Sequence, residues 1–314
     1  MIIPYLTQHD SPHLSKTNSG LGNALFQIFS SYGLSRTYNH ELNLSNLLKL
    51  LVKLKKWNLN HDKTIYRNLK SFFIAAPTNN LINLRENYYL YSLYDTNLVS
   101  TLSLHKNYVI TLVGYLQSHM YFDKYYDEIC DLLKPDENSL EIIKNKYSHL
   151  FDKEVINITS HFRVNWGCNI KYDTEFIYFF DALNFIIEKC EDKDICINIF
   201  SDDITTIKKN NKLIHDKLES LYSKNIKIVY FENNVDYIDL WCMTLCHHNI
   251  LSNSTLSWWG AYLNKNSNKI VTYPDDILRL VVGTIYPEKQ LIERREQHYK
   301  KEWVPIATEN VISQ

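Results

Sequence analysis

From Val155 onward the apolar residues of this 314-residue chain fall into short unbroken runs, separated by stretches in which they recur every three or four positions. The runs Val155 to His161, Ile195 to Phe200, Ile226 to Phe231, His248 to Leu251 and Lys269 to Tyr273 predict buried strands. The stretches Glu175 to Lys189, Ile204 to Tyr222, Val235 to Cys246 and Leu256 to Asn264 predict helices. Strands that alternate with helices imply a parallel sheet covered on both faces, with ligands at the carboxyl ends of the strands. The first half reads less evenly. Ile2 to Leu6 predicts a strand and Thr7 to Ser19 a polar loop. Gly20-Leu21-Gly22-Asn23 then opens a helix carried by Ala24, Leu25, Ile28, Phe29 and Tyr32. From Glu41 to Thr96 no period stands out beyond a Leu-rich piece at Leu44 to Leu54. Tyr108 to Gly114 predicts a strand, Tyr121 to Leu133 a helix stopped by Pro135, and Glu137 to Leu150 another helix. Phe151-Asp152-Lys153 is the expected boundary, giving α/β halves of residues 1–152 and 153–314.

Three predicted strand ends collect the residues with chemistry. The first carries His161-Phe162-Arg163, where a guanidinium fork suits a pair of phosphates or else a rim carboxylate. His161 at the same strand end is either a working group or an interior hydrogen-bonded histidine. The second carries Ser201-Asp202-Asp203, with one aspartate expected to bond a base or ribose and the other to cap the next helix. The third carries Leu251-Ser252-Asn253-Ser254-Thr255, where Ser254 and Thr255 are natural caps. The free amides and positive dipole end of a helix start either hold an anion there or serve the cap alone. Trp258-Trp259-Gly260 follows, and bulky rings beside a glycine predict close approach of helix and sheet. In the first half Gly20 and Gly22 lack the third glycine of a dinucleotide fingerprint and the lysine of a P-loop. They serve either the backbone alone or a ligand, in which case Asn23 and Gln27 present amides to it. Asp192-Lys193-Asp194 has the spacing of a metal-binding DxD but precedes a strand, at the wrong end of the sheet. No metal site is expected.

Composition narrows the partners. A formal charge of −1 and 22% charged residues argue against nucleic acid or an anionic membrane. The six cysteines, Cys130, Cys168, Cys190, Cys196, Cys242 and Cys246, form no CxxC pair and are expected as reduced thiols. Met1-Ile2-Ile3-Pro4-Tyr5 has no leader pattern, and no apolar run reaches membrane-spanning length, so a soluble cytoplasmic protein is expected.

The sequence resembles glycosyltransferase family 11, the α-1,2-fucosyltransferases. The resemblance is carried by Gly20-Leu21-Gly22-Asn23 with Phe26-Gln27, by Gly114-Tyr115-Leu116-Gln117-Ser118 and by Phe200-Ser201-Asp202-Asp203. Asp239 through Leu245-Cys246, Asn249-Ile250, Ser252-Asn253-Ser254 and Ser257-Trp258-Trp259-Gly260-Ala261 complete it. The resemblance implies a GT-B-like architecture of two Rossmann-like halves facing a central cleft, the first holding more of the acceptor and the second the nucleotide. It implies an inverting, metal-independent transfer of L-fucose from GDP-fucose to a glycan hydroxyl, with no cofactor beyond the donor. Carried onto this chain, Gly20, Gly22, Asn23, Arg163, Asp202, Asp203, Asn253, Ser254 and Thr255 are the donor-binding candidates. Gln117, Asn165 and Trp166 are the acceptor-side candidates, and Arg163 with His161 the catalytic ones. The family's His-x-Arg-Arg-Gly-Asp is here His161-Phe162-Arg163-Val164-Asn165-Trp166, which keeps the histidine and first arginine but lacks the second arginine and the acid. That departure leaves open the general base and the sugar, and with them a transferase of another deoxyhexose or an inactive nucleotide- or glycan-binding relative.

Overall fold

A computed structural model describes residues 1–6, 20–45, 65, 67–74, 80–86, 93–164, 172–190, 193–221, 225–275 and 288–307. The expected loop Thr7 to Ser19 and most of the Leu44 to Leu54 segment lie outside these. The chain divides into two compact units, Met1–Asp136 with Ile292–Lys300 and Glu137–Leu291 with Lys301–Gln314.

In the first unit the elements are β1 (Ile2–Pro4), α1 (Leu21–Tyr38), β2 (Leu81–Arg85), α2 (Thr96–Leu104), β3 (Val109–Val113) and α3 (Tyr126–Leu133). Its strands pair in parallel in the order β1-β3-β2. Central β3 supplies Val109, Ile110 and Leu112 to the core and α1 supplies Leu25, Phe26, Ile28 and Phe29, all buried. Strand β2 lies at the edge of the described sheet and alternates exposed with half-buried residues, so it has no apolar run to betray it. Asp95 caps α2, its side chain accepting from the amides of Asn97 and Leu98 at 3.0 Å. The helix expected from Tyr121 is delayed: two 3-10 turns, His119–Tyr121 and Asp123–Tyr125, precede α3.

The second unit begins with α4 (Glu137–Lys146). The division therefore falls before the expected boundary at Asp152. Lys146 bonds the Asn234 side chain at 2.6 Å, and Tyr147 stacks on Phe231 with centroids 4.0 Å apart. These contacts join the segment to the second core, and nothing in its own periodicity reveals which core it serves. The order continues β4 (Val155–Phe162), α5 (Tyr172–Ile187), β5 (Asp194–Ser201), α6 (Ile204–Lys209), α7 (Asn211–Leu221), β6 (Ile226–Tyr230), α8 (Asp236–Thr244), β7 (His248–Ile250), α9 (Thr255–Leu263), β8 (Val271–Pro274), α10 (Glu288–His298) and β9 (Val304–Ile306). Helix α10 passes into the first unit from Ile292. The single helix expected from Ile204 to Tyr222 breaks at Asn210, whose side chain takes the Thr206 carbonyl at 3.2 Å and competes with the helical ladder.

All six strands are parallel, in the order β6-β5-β4-β7-β8-β9. Numbered from β4, this is 3-2-1-4-5-6, the doubly wound order whose ligand crevice opens where the winding reverses, between β4 and β7. The two faces of the sheet differ in chemistry. Ile156, Ile158 and Phe162 of β4 join Ile195, Ile197 and Ile199 of β5 in an apolar core with Phe179, Leu183 and Ile186 of α5. The alternate residues Asn157, Thr159, Asn198 and Asn249 face the other way, buried, in a hydrogen-bonded network. His149 Nε2 meets Asn198 Oδ1 at 2.7 Å, and Asn264 Nδ2 donates to Asn249 Oδ1 at 2.9 Å. Asparagines inside apolar runs are tolerated because each finds a partner.

Trp258 and Trp259 are buried, the first stacked on Tyr262 at 4.9 Å and tilted against Trp303 at 5.5 Å. The close approach expected beside them is between helices, not between helix and sheet. A Cβ on Gly260 of α9 would lie 2.7 Å from Cβ of Met243 in α8. Gly260→Val is therefore expected to cost roughly 1–3 kcal/mol through overpacking. Urea unfolding measures this, and an unchanged midpoint would show that α8 yields at no cost.

Candidate active site

At the winding reversal the end of β4 is tied to both neighbours. On the β7 side, His161 Nδ1 lies 2.6 Å from Ser252 Oγ, both residues being buried. Burial, with the nearby Arg163 charge adding to it, lowers the His161 pKa to about 3, against a smaller opposing pull from Asp202. The ring is therefore neutral, and it is a weak base. On the β5 side, Arg163 Nη1 lies 3.2 Å from Asp202 Oδ2, and the Val164 amide donates to Asp202 Oδ1 at 2.8 Å. The Arg163 side chain keeps 35% of its surface exposed, at the carboxyl rim of the sheet. Of the two readings of Arg163, the rim carboxylate is present, and it orients the guanidinium. Both oxygens of Asp202 accept bonds inside the protein, so a base or ribose would have to compete for them. Asp203 caps α6, accepting from the Thr206 amide at 3.1 Å and the Thr206 hydroxyl at 2.7 Å. These bonds hold its carboxyl below the usual range.

The third strand end turns sharply. The Ser254 amide donates to the Ser252 carbonyl at 2.8 Å, and Ser254 Oγ then caps α9 by accepting from the Leu256 amide at 3.3 Å. Ser254 and Thr255 thus begin a helix at the carboxyl end of β7, as the capping pattern predicts. Asn253 is half-buried and its Nδ2 has no partner among the described residues. Asn165 and Trp166 lie outside the described residues. Asp194 opens β5 at the amino end of the sheet, and its companion Asp192 also lies outside them.

In the first unit, Gly20 immediately precedes α1 with a φ of −63°, and a Cβ there would meet nothing within 4 Å. The backbone does not require a glycine at that point. Asn23 Oδ1 accepts from Gln117 Nε2 at 2.9 Å, and Gln27 Nε2 donates to the Gly114 carbonyl at 2.7 Å. Two motifs far apart in sequence therefore meet at the carboxyl end of β3. Two residues stand beside the expected candidates that the sequence did not single out: Glu86, which accepts from the amides of Tyr115 and Leu116 at 2.8 and 3.0 Å, and His298, whose Nδ1 lies 2.7 Å from the Gln117 carbonyl; Ser252, expected at the third strand end, had no partner assigned and is the partner of His161. Ser252 stood within the matched motif; Glu86 and His298 lie in stretches whose pattern gave no signal.

The sequence profile described as Glycosyl transferase family 11 matches residues 112–307. An O-antigen biosynthesis glycosyltransferase, WbnK of Escherichia coli, is 26% identical over 302 residues, covering 82% of this chain and 92% of the relative. An α-1,2-colitosyltransferase of Escherichia coli is 22% identical over 174 residues, covering 52% and 55%. Among solved structures, a FUT1 variant of Arabidopsis thaliana in complex with GDP aligns with a TM-score of 0.49 at 11% identity, covering 86% of this chain and 69% of that one. The NodZ α-1,6-fucosyltransferase soaked with GDP-fucose aligns with a TM-score of 0.45 at 9% identity, covering 83% and 92%. The profile spans most of the second unit and the Gly114 turn, and the E. coli relative extends the likeness over most of the chain; this protein belongs to glycosyltransferase family 11.

Proposed function

We propose that this glycosyltransferase moves a deoxyhexose, L-fucose in the first instance, from a GDP-sugar to a glycan hydroxyl in one inverting, metal-independent displacement. The acceptor oxygen attacks the anomeric carbon, the bond to the diphosphate oxygen breaks, and the acceptor proton leaves to a base. The observation that carries the reading is the cluster at the winding reversal, where Arg163 stands between the Asp202 ion pair and the His161–Ser252 bond. Charge developing on the departing diphosphate would be met there by a guanidinium held in place and by the amides that start α9. In this reading Asp202 and His161 position Arg163 and the Ser252 turn, and the base is a group other than His161. Colitose as the transferred sugar is the second reading, favoured by the relative named as a colitosyltransferase.

The test is calorimetric titration with GDP and UDP, followed by transfer from GDP-fucose with and without EDTA. GDP is expected to bind at least about tenfold more tightly than UDP, because a site that pairs with guanine's N1–H and exocyclic amine leaves its acceptors unpaired against uracil, at roughly 1–3 kcal/mol per missed partner. Tighter UDP binding overturns the choice of donor. Transfer lost to EDTA and restored by manganese overturns the metal-free mechanism, and GDP binding without turnover supports an inactive relative.

A further inference from the structure

The turn Gly114–Ser118, which follows β3 in the first unit, is held by side chains at five of its ten backbone polar groups. Gln27 Nε2 donates to the Gly114 carbonyl at 2.7 Å, and Glu86 Oε2 accepts from the Tyr115 and Leu116 amides at 2.8 and 3.0 Å. Ser30 Oγ donates to the Leu116 carbonyl at 2.8 Å, and His298 Nδ1 meets the Gln117 carbonyl at 2.7 Å. Leu116 has a φ of 52°, a left-handed conformation that costs a non-glycine residue about 1–2 kcal/mol. Such a conformation persists only where its surroundings over-determine it, and these surroundings do. What the turn presents is Gln117, whose Nε2 reaches Asn23 Oδ1 at 2.9 Å.

Glu86 is the least expected of these supports. It is a carboxyl only 5% exposed, with Asp95 adding its charge to the burial that raises its pKa well above the usual range. A Cβ on Gly114 would fall 2.4 Å from the Glu86 Cβ, so the turn and the acid are fitted to one another. Glu86 Oε1 and Gln27 Oε1 are both buried without a partner among the described residues. A buried acceptor left in that state costs about 1–3 kcal/mol. A core position with no other duty would hold an apolar side chain instead.

We propose that Glu86 is a positioning residue for the acceptor side, holding the Gly114–Ser118 turn so that the Gln117 amide, braced on Asn23 Oδ1, meets the hydroxyls of the acceptor sugar. Neutral amides suit that ligand, because a side chain that both donates and accepts matches a hydroxyl that does the same. The proposal rests on the glycosyl-transfer reading above, and its test separates the two.

Glu86→Gln, Glu86→Ala and Gln117→Ala are compared by amide hydrogen exchange at Tyr115 and Leu116, by GDP titration, and by KM for lactose as acceptor probe with GDP-fucose as donor. Glutamine keeps an oxygen for both amides, so Glu86→Gln is expected to retain their protection and to hold KM within about threefold, under 1 kcal/mol. Glu86→Ala is expected to speed their exchange and to raise the acceptor KM at least about tenfold, with GDP affinity unchanged. Gln117→Ala is expected to raise KM likewise while the two amides stay protected, which keeps the test decisive should Glu86→Ala fail to fold. Unaltered KM in Gln117→Ala, or a glutamine variant as impaired as the alanine one, overturns the proposal. If the wild type transfers nothing to lactose, the glycosyl-transfer reading fails with that acceptor, while exchange at Tyr115 and Leu116 still decides whether Glu86 holds the turn.

Discussion

Arg163→Lys is expected to lower kcat/KM on the order of a hundredfold, and Arg163→Ala further, with the fold intact in both. The guanidinium is planar and is oriented by its contact with Asp202 Oδ2 at 3.2 Å. A lysine ammonium keeps the charge but not the two-pronged geometry, and its flexible stem is not fixed by that contact. A charge-assisted bond that strengthens as the diphosphate departs is worth about 2–4 kcal/mol, and each 1.36 kcal/mol is a factor of ten. The loss is expected mainly in kcat, since the charge in question develops in the transition state. Asp202→Asn is expected to act in the same direction and more weakly, roughly tenfold: it keeps an oxygen for the Val164 amide and loses only the ionic hold on Arg163. Steady-state kinetics on variants with wild-type melting temperatures decide the matter. An Arg163→Ala protein with unchanged kcat/KM would falsify the assignment.

The largest effect on stability is expected from Asn249→Leu. Asn249 is wholly buried on the polar face of the second sheet. Its Nδ2 donates to Thr159 Oγ1 at 3.2 Å and to the Met243 carbonyl at 3.1 Å, and its Oδ1 accepts from Asn264 at 2.9 Å. Leucine has similar volume and satisfies none of these groups. Three buried partners each lose one bond, Asn264 Nδ2 keeping its other bond to the Cys246 carbonyl at 2.8 Å; at about 1–3 kcal/mol for each loss, with partial relaxation, the expected total is about 4 kcal/mol. At roughly 2–4 °C per kcal/mol, the melting temperature falls by about 10 °C. Asn249→Asp is expected to lose less, because it keeps an acceptor for Asn264. A leucine variant melting within about 2 °C of wild type would mean that the network contributes little beyond packing.

The second unit was readable because its strands are buried on both faces. Unbroken runs such as Ile195 to Phe200 announce themselves even with Asn198 inside them, and the helices between have regular spacing. The cap at Ser254 and the cap at Asp203 were readable for a local reason, since a capping side chain bonds an amide two or three residues away. The ion pair of Arg163 with Asp202 depends on register across two strands, which periodicity does not encode. The same holds for the His161–Ser252 bond. Strand β2 escaped notice because an edge strand alternates without a run, and β9 because three residues are too few to carry a pattern. The partner of the Gln117 turn in α10 lies about 180 positions away in the chain, beyond any local signal.

That last separation bears on how the protein is made. The first unit comprises Met1–Asp136 and, much later, Ile292–Lys300, which supplies the His298 contact to Gln117, the Gln297 carbonyl that accepts from Ser118 Oγ at 2.8 Å, and Lys300 for Asp123. A ribosome adding about 5–20 residues per second takes roughly ten to thirty seconds to cross the intervening segment. Throughout that interval the nascent first unit waits with the Gln117 carbonyl lacking its His298 partner and Phe26 without the ring that stacks on it at 5.9 Å. A stretch synthesised after strands β4 to β8 thus completes the first unit, and the Gly114–Ser118 turn gains its His298 contact only then.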